Sequence, residues 1–519
     1  MQLRFLAIAL PALLLGTAAT SPSVTILPDG TYRYVTTIGG RNIGSSTVVV
    51  RREGAAVVIE ESASLAAITL ISERKLEEST FATLSYTVDT GGKHAVVTVL
   101  GNDATVTQDT NRAKITASPG APFVVSDNLV AGWAQVPATL HASGEKMLTL
   151  ACLCGGFIAV PISVIESRAG FVSLRDANGL DVRLTFDPQT YVLERLDVPS
   201  QQAEVVLQSH DVSVSALPQP VAATPMPLPP AHYDARDVSI RASDGVMLAG
   251  TLTVPKSAAG PLPGFVFVHG SGCIDRDETI GPNKIFGQLA NVLSNAGYAV
   301  LRYDKRSCGK SGGSFATRDR LIADARDVIA YLRAQPGIDP NAIVVLGHSE
   351  GGELAPSIAI ADGRLRGIVL LAPPALPLEQ ILAQQLLRNT PAADRTVQAQ
   401  KVQSDLAGIA AGKKQGAYNA WLRSSFGIDP AKLIAQVPCP ILIVQGTKDI
   451  QVLAADTPRL VEAARAANRK LTVVMLPDDD HLFIKLDASE SSTGGEYFTP
   501  SYLDPALLRA IESWLNVKT

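Results

Sequence analysis

The most constraining feature of this sequence is a regular alternation of strand-like and helical segments in its second half. After about residue 236, short apolar runs such as GFVFVHG (264–270), AIVVLGHS (342–349) and ILIVQG (441–446) are separated by segments with a helical spacing of apolar residues. Strands joined through helices lie parallel, because each crossover returns the chain to the same end of the sheet. The pattern therefore predicts a mostly parallel sheet flanked by helices on both faces.

One connection in this alternation is much longer than a crossover requires. The segment at about 376–437 is helical in pattern and rich in Gln and Ala, whereas a crossover needs only one helix. It follows the carboxyl end of a strand, so we expect a helical insertion above that edge of the sheet. Two interpretations stay open, a lid that gates a site and a helical addition without a gating role. Trp421 and Phe426 in this insertion either line an acyl pocket or simply pack.

Ser349 stands at the junction of a predicted strand and a predicted helix, inside the pattern Gly-x-Ser-x-Gly (GHSEG, 347–351). The pattern is short and arises by chance, but at such a junction it is typical of a strained turn that exposes a serine hydroxyl. Glycine at both flanking positions leaves room for the close approach of strand and helix. The hydroxyl would lie at the positive end of the helix, and Ser349 is the predicted nucleophile.

A serine nucleophile requires a general base, and the seven histidines of the chain leave one candidate. Four of them precede the alternating region: His94, His141, His210 and His232. His269 comes just before a glycine-rich turn, and His348 belongs to the elbow itself, with its side chain expected to point away from the nucleophile. His481, in PDDDHLF after the last core strand, is the histidine that can fold back over the sheet.

The carboxylate that orients this base is expected after the preceding strand, where ILIVQGTKDIQV (441–452) supplies Asp449. Asp478, Asp479 and Asp480 compete, but they lie too close to His481 along the chain for a natural geometry. Asp429, at the end of the insertion, is a weaker competitor. The predicted catalytic residues are therefore Ser349, Asp449 and His481, in that chain order.

Acyl transfer also needs hydrogen-bond donors for the oxyanion that develops on the carbonyl. HGSG (269–272) directly follows a strand, and the backbone N–H of Ser271 would pair with that of Glu350 after the nucleophile. We expect the backbone amide of Glu350, rather than its carboxylate, to matter. The acidic run DRDE (275–278) is expected to hold this loop by ion pairs, with substrate recognition as the alternative.

These residues resemble the α/β-hydrolase superfamily and, within it, bacterial serine esterases and their aminopeptidase-like serine-peptidase relatives with an HGSG…DRDE oxyanion loop. The resemblance extends from about Asp237 to the C-terminus and rests on HGSGCIDRDETIGPNKIF, LRYDKRSCGKS, GHSEGG, GTKD and DHLF, in the family's order. It implies the α/β-hydrolase fold and hydrolysis of an ester, or less often an amide, through an acyl-enzyme. No metal or cofactor is expected.

Two details of the resemblance concern the loop after a predicted strand, YDKRSCGKS (303–311). Ser307 replaces the glycine that is more usual after Arg306 in this family, which should not affect the triad. The resemblance implies that this loop neighbours the oxyanion loop, so Cys273 and Cys308 are candidates for a disulfide. The sequence itself leaves the pairing of the five cysteines open.

The first half of the chain follows a different pattern, with short segments of period-two alternation such as TYRYVTTI and HAVVTVL between turn-rich stretches. It predicts an antiparallel β-rich N-terminal domain at 20–215, either a curved sheet or an open barrel, of unknown role. Six prolines between Pro218 and Pro230 indicate a stiff linker at 216–235. The hydrolase-like domain is then 236–519.

The N-terminal residues 1–19 have the layout of a secretory signal peptide, with Arg4, an apolar run and small residues up to Ala19. The alternative is a membrane anchor, but the run from Phe5 to Leu15 is shorter than the ~20 residues that span a bilayer. We therefore expect export to the periplasm or beyond, without stable membrane insertion after cleavage. The net charge of −4 offers no basic surface for nucleic acid.

Three functions remain possible at this point. The first is an exported serine carboxylesterase that acts on a small-molecule ester. The second is a serine peptidase, a small aminopeptidase or an oligopeptidase-like enzyme, although the first half shows no blade repeat of a propeller. The third is a protein that binds lipid or cell-wall material with the hydrolase fold as a scaffold.

Cys152 and Cys154 lack the second pair of donors that a zinc site needs. The oligomeric state is open.

Overall fold

In this computed structural model, residues 25–516 are described except 67, 91–92, 109–110, 118–120, 127–129, 153–157, 177–179, 257–259, 391, 393 and 414–416. The predicted signal peptide at 1–19 and Cys154 lie outside the described residues.

The first half forms a fifteen-stranded sheet. Its strands are β1 (Gly30–Ile38), β2 (Arg41–Glu53), β3 (Ala56–Leu65), β4 (Ile68–Glu77), β5 (Thr83–Thr90), β6 (Lys93–Leu100), β7 (Asp103–Gln108), β8 (Asn111–Thr116), β9 (Phe123–Ser126), β10 (Met147–Cys152), β11 (Ile158–Arg168), β12 (Phe171–Asp176), β13 (Asp181–Phe186), β14 (Leu193–Val198) and β15 (Ala203–Asp211).

The strand order in this sheet is β8-β7-β6-β5-β4-β3-β2-β1-β15-β14-β13-β12-β11-β10-β9. Neighbouring strands are antiparallel, as predicted for the β-rich half, except that β9 and β10 run parallel. The edge strands do not stay far apart, because β9 contacts β5 and β8 contacts β11. The sheet is therefore strongly curled.

Two short helices, α1 (Val130–Ala134) and α2 (Val136–Ser143), connect the parallel strands β9 and β10 and were not expected from the sequence. α1 contacts β2, β3 and β14, so it lies in the concave side of the sheet. Consecutive residues of both helices are buried, including Val136, Pro137 and Ala138. A helix enclosed in this way has no apolar stripe on a single side. Such a stripe is the sequence pattern by which surface helices are predicted.

The second half forms an eight-stranded sheet and a small two-stranded one. The strands are β16 (Tyr233–Arg241), β17 (Met247–Pro255), β18 (Leu262–Val268), β19 (Thr279–Ile280), β20 (Asn283–Lys284), β21 (Ala299–Tyr303), β22 (Ile338–His348), β23 (Gly367–Leu371), β24 (Ile441–Gly446) and β25 (Leu471–Leu476). The helices are α3 (Ile285–Asn295), α4 (Arg318–Arg333), α5 (Glu350–Asp362), α6 (Leu378–Leu387), α7 (Arg395–Ala410), α8 (Ala417–Ser425), α9 (Pro430–Ile434), α10 (Thr457–Ala466) and α11 (Pro505–Asn516). Short 3-10 helices lie at Pro199–Gln201, Ala454–Asp456 and Gly495–Phe498.

The main sheet of this half has the order β16-β17-β21-β18-β22-β23-β24-β25. From β21 to β25 the strands are parallel, and β16 and β17 form an antiparallel edge. The prediction of a mostly parallel sheet is confirmed. β16 begins at Tyr233, within the segment predicted as linker, because residues from Tyr233 onward pair with the end of β17.

Helices cover both faces of this sheet, as the alternating pattern requires. One face packs against α3 and α11 through residues such as Phe286 and Ile511, and the other packs against α4, α5 and α10. The helices α6 to α9 lie between β23 and β24 and form the predicted helical insertion. Within the described residues, none of the helices combines the length and apolar character needed to cross a membrane.

The two halves touch at the loop after His481 and at the insertion. Arg41, the first residue of β2, forms an ion pair with Glu490 at 2.9 Å. Asn389, just after α6, donates from its side chain to the carbonyl of Ser200 at 2.7 Å. The first half therefore contacts both the insertion and the segment that follows the predicted base.

Candidate active site

Ser349 lies between the end of β22 and the start of α5, in a backbone conformation that ordinary residues avoid. Its φ of 52° and ψ of −118° require the surrounding structure to hold it in place. A Cβ at Gly347 would collide with the carbonyl oxygen of Gly351, and a Cβ at Gly351 would collide with that of Val268. The expectation that both glycines permit a close approach of strand and helix is confirmed.

The structure brings Asp449 and His481 together. Nδ1 of His481 lies 2.8 Å from Oδ2 of Asp449, and both residues are buried. The other oxygen of Asp449 accepts the backbone N–H groups of Gln451 and Val452 at 2.7 and 2.9 Å. These bonds fix the carboxylate, which in turn fixes the orientation of the imidazole.

Asp480, one of the competing aspartates, binds the loop around His481 instead. Oδ1 of Asp480 accepts the backbone N–H groups of Leu482 and Ile484 at 2.8 and 2.9 Å. Burial raises the pKa of Asp480 to about 8 and that of Asp479 to about 7. Asp480 is therefore largely protonated near neutral pH and Asp479 about half protonated, which suits neither to the role of a charged orienting group.

His348 links the elbow to the loop that carries His481. Nδ1 of His348 lies 3.0 Å from Oε1 of Glu278, and its Nε2 lies 2.9 Å from the carbonyl oxygen of His481. Burial disfavours the charged imidazole, but Glu278 outweighs it and raises the pKa of His348. Burial likewise opposes the charge of Glu278, and His348 outweighs it to lower the pKa of that carboxyl. The ring thus positions the loop of His481 from the side of the core.

The predicted oxyanion loop lies beside the nucleophile. A Cβ at Gly270 would stand 3.3 Å from Cβ of Ser349, so the two segments are in contact. Gly270 donates its N–H to Oε1 of Glu278 at 2.7 Å. In the part of the chain that the structure describes, the backbone N–H groups of Ser271 and Glu350 have no protein acceptor, so both are free to bind a substrate oxygen.

The acidic run after this loop makes the expected ion pairs. Arg276 binds the buried Asp304 with two nitrogens, at 3.0 and 2.8 Å. Asp277 pairs with Arg302 at 2.5 Å on the neighbouring strand β21. A disulfide joins Cys273 to Cys308, the pair that the family resemblance suggested. Together these bonds attach the loop after β18 to the loop after β21.

A buried polar cluster lies next to the nucleophile and was not expected from the sequence. Nζ of Lys305 donates to Oε2 of Glu350 at 2.6 Å and to the carbonyl of Gly270 at 2.9 Å. The indole N–H of Trp421, in α8 of the insertion, donates to Oε1 of Glu350 at 2.6 Å. The carboxylate of Glu350 therefore has a structural role beyond that of its amide. Lys305, two residues after the end of β21, was the available signal.

Aromatic rings extend this cluster toward solvent. Trp421 packs edge-on against Phe315, with ring centroids 6.1 Å apart, and is tilted against Tyr418 at 5.4 Å. Trp421 is 4 % exposed, so it packs between the insertion and the core rather than forming an open wall. Among the described residues, no group of three or more His, Cys, Asp or Glu is arranged to hold a metal ion.

Comparison with known proteins gives one family model and several related sequences. The model of the alpha/beta hydrolase family matches residues 265–488. The esterase EstD of Thermotoga maritima is 30% identical over 293 residues, which is 55% of this chain and 68% of that protein. Dipeptidyl aminopeptidase BIII of Pseudoxanthomonas mexicana is 27% identical over 323 residues, 58% of this chain but only 42% of that protein.

Solved structures also match part of the chain. Est1E of Butyrivibrio proteoclasticus, solved with ferulic acid, is 19% identical, covers 53% of this chain and 99% of its own, and gives a TM-score of 0.37. The Pyrococcus furiosus esterase Pf2001 is 21% identical, covers 47% of this chain and 83% of its own, and gives a TM-score of 0.35.

Proposed function

Because this chain belongs to the α/β-hydrolase family, we propose that it is an exported serine hydrolase that cleaves carboxylic esters. Ser349 is the nucleophile, His481 the general base and acid, and Asp449 the residue that orients the imidazole. The backbone N–H groups of Ser271 and Glu350 form the oxyanion hole. The observation that carries the proposal is the 2.8 Å contact of Asp449 with His481. The carbonyl of His481 is in turn bound by His348, the residue directly before Ser349.

The reaction follows from the roles of these groups. The hydroxyl of Ser349 attacks the ester carbonyl while His481 takes its proton, and the carbonyl oxygen becomes an oxyanion held by two N–H donors. The imidazolium then protonates the departing alkoxide, leaving an acyl-enzyme. Water, deprotonated by His481, attacks this acyl group, and the carboxylic acid leaves as the serine hydroxyl regains its proton.

The charges around Ser349 favour an ester over an aminoacyl substrate. An enzyme that binds the ammonium group of a peptide needs a carboxylate left available for it. Glu350 is bound by Lys305 and Trp421, and Glu353 is paired with Arg318 at 2.7 Å. Both glutamates that follow the nucleophile are thus already neutralised within the chain. An ester of neutral groups requires no such partner, and EstD is named as an esterase.

The discriminating experiment is active-site labelling with a fluorophosphonate, followed by a substrate panel. We expect labelling of the wild-type protein and none after Ser349→Ala, with Ser271→Ala as the matched control because only its backbone N–H is used. Turnover of aryl esters should exceed that of aminoacyl arylamides. Equal labelling of Ser349→Ala contradicts the assignment of the nucleophile, and dominant amide turnover would favour the peptidase. An absence of labelling and turnover would favour a binding protein.

Export is the second part of the proposal, and it rests on the layout of residues 1–19. It predicts a mature protein that starts after Ala19 and is recovered outside the cytoplasm. N-terminal sequencing of the protein from fractionated bacterial cells checks both points. Retention of residues 1–19 in the cytoplasmic fraction would contradict export without affecting the catalytic assignment.

A further inference from the structure

We propose that Lys305 is a positioning residue for the oxyanion hole, and that the Glu350 carboxylate and Trp421 couple this hole to the helical insertion. The inference rests on the proposed function, because it assigns a role to side chains around the same site. It concerns none of the residues that would touch the reacting atoms through their side chains.

The first step concerns the peptide bond between Gly270 and Ser271. A peptide unit is planar and normally trans, so its C=O and N–H point in opposite directions and rotate together. Nζ of Lys305 holds the carbonyl of Gly270 at 2.9 Å. Fixing this oxygen also fixes the N–H of Ser271, one of the two proposed donors to the oxyanion.

The ammonium group also strengthens this donor. Lys305 is only 6 % exposed, so its charge acts through a medium that screens far less than water. A cation bonded to a carbonyl polarises the whole peptide group and makes its N–H a better donor. That effect is worth most when the acceptor carries a developing negative charge, which happens in the transition state.

The same ammonium reaches the second proposed donor through Glu350. Oε2 of Glu350 lies 2.6 Å from Nζ of Lys305, and the backbone N–H of Glu350 is the other group of the proposed hole. One buried lysine thus contacts both segments that supply donors. The two hydrogen bonds of Lys305 fix the distance between these segments, whereas hydrophobic packing is not directional and would not fix it.

Trp421 extends this network into the insertion. Its indole N–H, carried by α8, donates to Oε1 of Glu350 at 2.6 Å. A displacement of α8 therefore removes one of the bonds that hold this carboxylate. The position of the insertion is in this way transmitted to the hole, as a lid with a catalytic effect requires.

A purely structural role for Lys305 makes a different prediction. If Lys305 only neutralises the buried Glu350, then removal of both charges should restore activity. If Lys305 positions the Gly270–Ser271 peptide, the double variant should stay impaired, because the carbonyl of Gly270 still lacks its donor. The comparison of Lys305→Met with Lys305→Met/Glu350→Gln separates the two roles.

The experiment measures steady-state hydrolysis of an aryl ester and inhibition by an aryl trifluoromethyl ketone, which forms a tetrahedral oxyanion on the serine. For Lys305→Met we expect kcat to fall about 10- to 100-fold, somewhat less than for the loss of a whole donor. KM should change little, and the ketone should bind more weakly by a similar factor. The double variant should remain at least about tenfold impaired. Trp421→Phe, which keeps an aromatic ring but loses the indole N–H, should show a smaller fall in kcat.

Lys401→Met is the matched control, because Lys401 pairs with Asp405 in α7 and lies outside this network. It should have wild-type kinetics. If Lys305→Met alone does not fold, as judged by circular dichroism, the charge-neutral double variant is compared with the wild type instead. An active wild type with normal kcat in Lys305→Met, or full recovery in the double variant, overturns the inference and leaves the proposed function intact. An inactive wild type overturns both.

Discussion

The carboxylate of Glu278 lies 3.0 Å from Nδ1 of His348 in a pair that is buried on all sides. Glu278 also accepts the N–H of Gly270, and His348 holds the carbonyl of His481, so this pair connects the oxyanion loop to the loop of the base. Its loss should therefore affect stability first and geometry of the site second.

Glu278→Gln tests this connection, because glutamine keeps an acceptor for Gly270 but leaves His348 without a charged partner. We expect the free energy of unfolding to fall by about 2 kcal/mol, the cost of breaking a buried charge-assisted bond. Urea unfolding at pH 6 measures it. Glu379→Gln, which changes a glutamate of α6 whose contact with Gly427 is exposed, is the control and should change stability little.

The pH dependence of this pair follows from the directions of the two shifts. The pKa of Glu278 lies below its ordinary value of 4.5, so its contribution is present above about 4.5 and is lost as the pH falls through the lower native value. The pKa of His348 lies above 6.5, so its contribution is full below about 6.5 and is lost as the pH rises through the native value. The stability difference between wild type and Glu278→Gln should thus be largest between about pH 4.5 and 6.5 and smaller on either side.

Asp480 should make the protein less stable in mild alkali. Its pKa is raised from 3.8 to about 8, chiefly by burial, so its stabilising contribution is full below 3.8 and is lost as the pH rises through about 8. Asp479, with a pKa of about 7, acts in the same direction. We expect the Tm of the wild type to fall between pH 6 and 9.

Asp480→Asn should reduce that fall, because asparagine still accepts the N–H groups of Leu482 and Ile484 but cannot ionise. Asp478, a partly exposed neighbour, is paired with Lys448. Asp478→Asn is therefore the control, and its Tm should fall with pH as steeply as that of the wild type. If the Tm of Asp480→Asn fell with pH as steeply as that of the wild type, the buried carboxyl of Asp480 would not be the source of the loss of stability.

The disulfide between Cys273 and Cys308 should stabilise the fold by restricting the unfolded chain. The two cysteines are 35 residues apart, and closing a loop of that length is worth up to about 4 kcal/mol. Cys273→Ser/Cys308→Ser should therefore lower the Tm under oxidising conditions, and reductant should lower the Tm of the wild type but not of the variant. Cys439→Ser is the control, since this buried thiol is free and burial raises its pKa to about 12.

The sequence predicted the site residues that follow the repeated strand pattern. It did not predict those whose role depends on tertiary contacts. Ser349, Asp449 and His481 each follow a recognisable apolar strand, and the carboxyl ends of parallel strands meet at one edge of a sheet. The contact of Asp449 with His481 follows from that rule, whereas the catalytic roles stay predictions. The link from Lys305 to Gly270 joins two loops whose relative position no local pattern specifies.

The first half was predictable for a similar reason and to a similar extent. Alternation along each strand indicated a β-rich sheet, because side chains of neighbouring residues face opposite sides. The parallel pair of β9 and β10 requires the crossover through α1 and α2, whose buried residues show no helical periodicity. The contact of Ser200 with Asn389 depends on how the halves pack, which their separate patterns do not encode.

Gly351 should tolerate no side chain, while Gly408 should benefit from one. A Cβ at Gly351 would collide with the backbone carbonyl of Val268, which belongs to a central strand and cannot move away. Gly351→Ala should therefore distort the elbow and abolish fluorophosphonate labelling, with a loss of stability that urea unfolding measures. Gly408 lies in α7 with nothing within 4 Å of its added Cβ, so Gly408→Ala should raise stability by about 0.5–1 kcal/mol and leave labelling unchanged. A labelled and stable Gly351→Ala variant would show that strand and helix do not approach as closely as the structure places them.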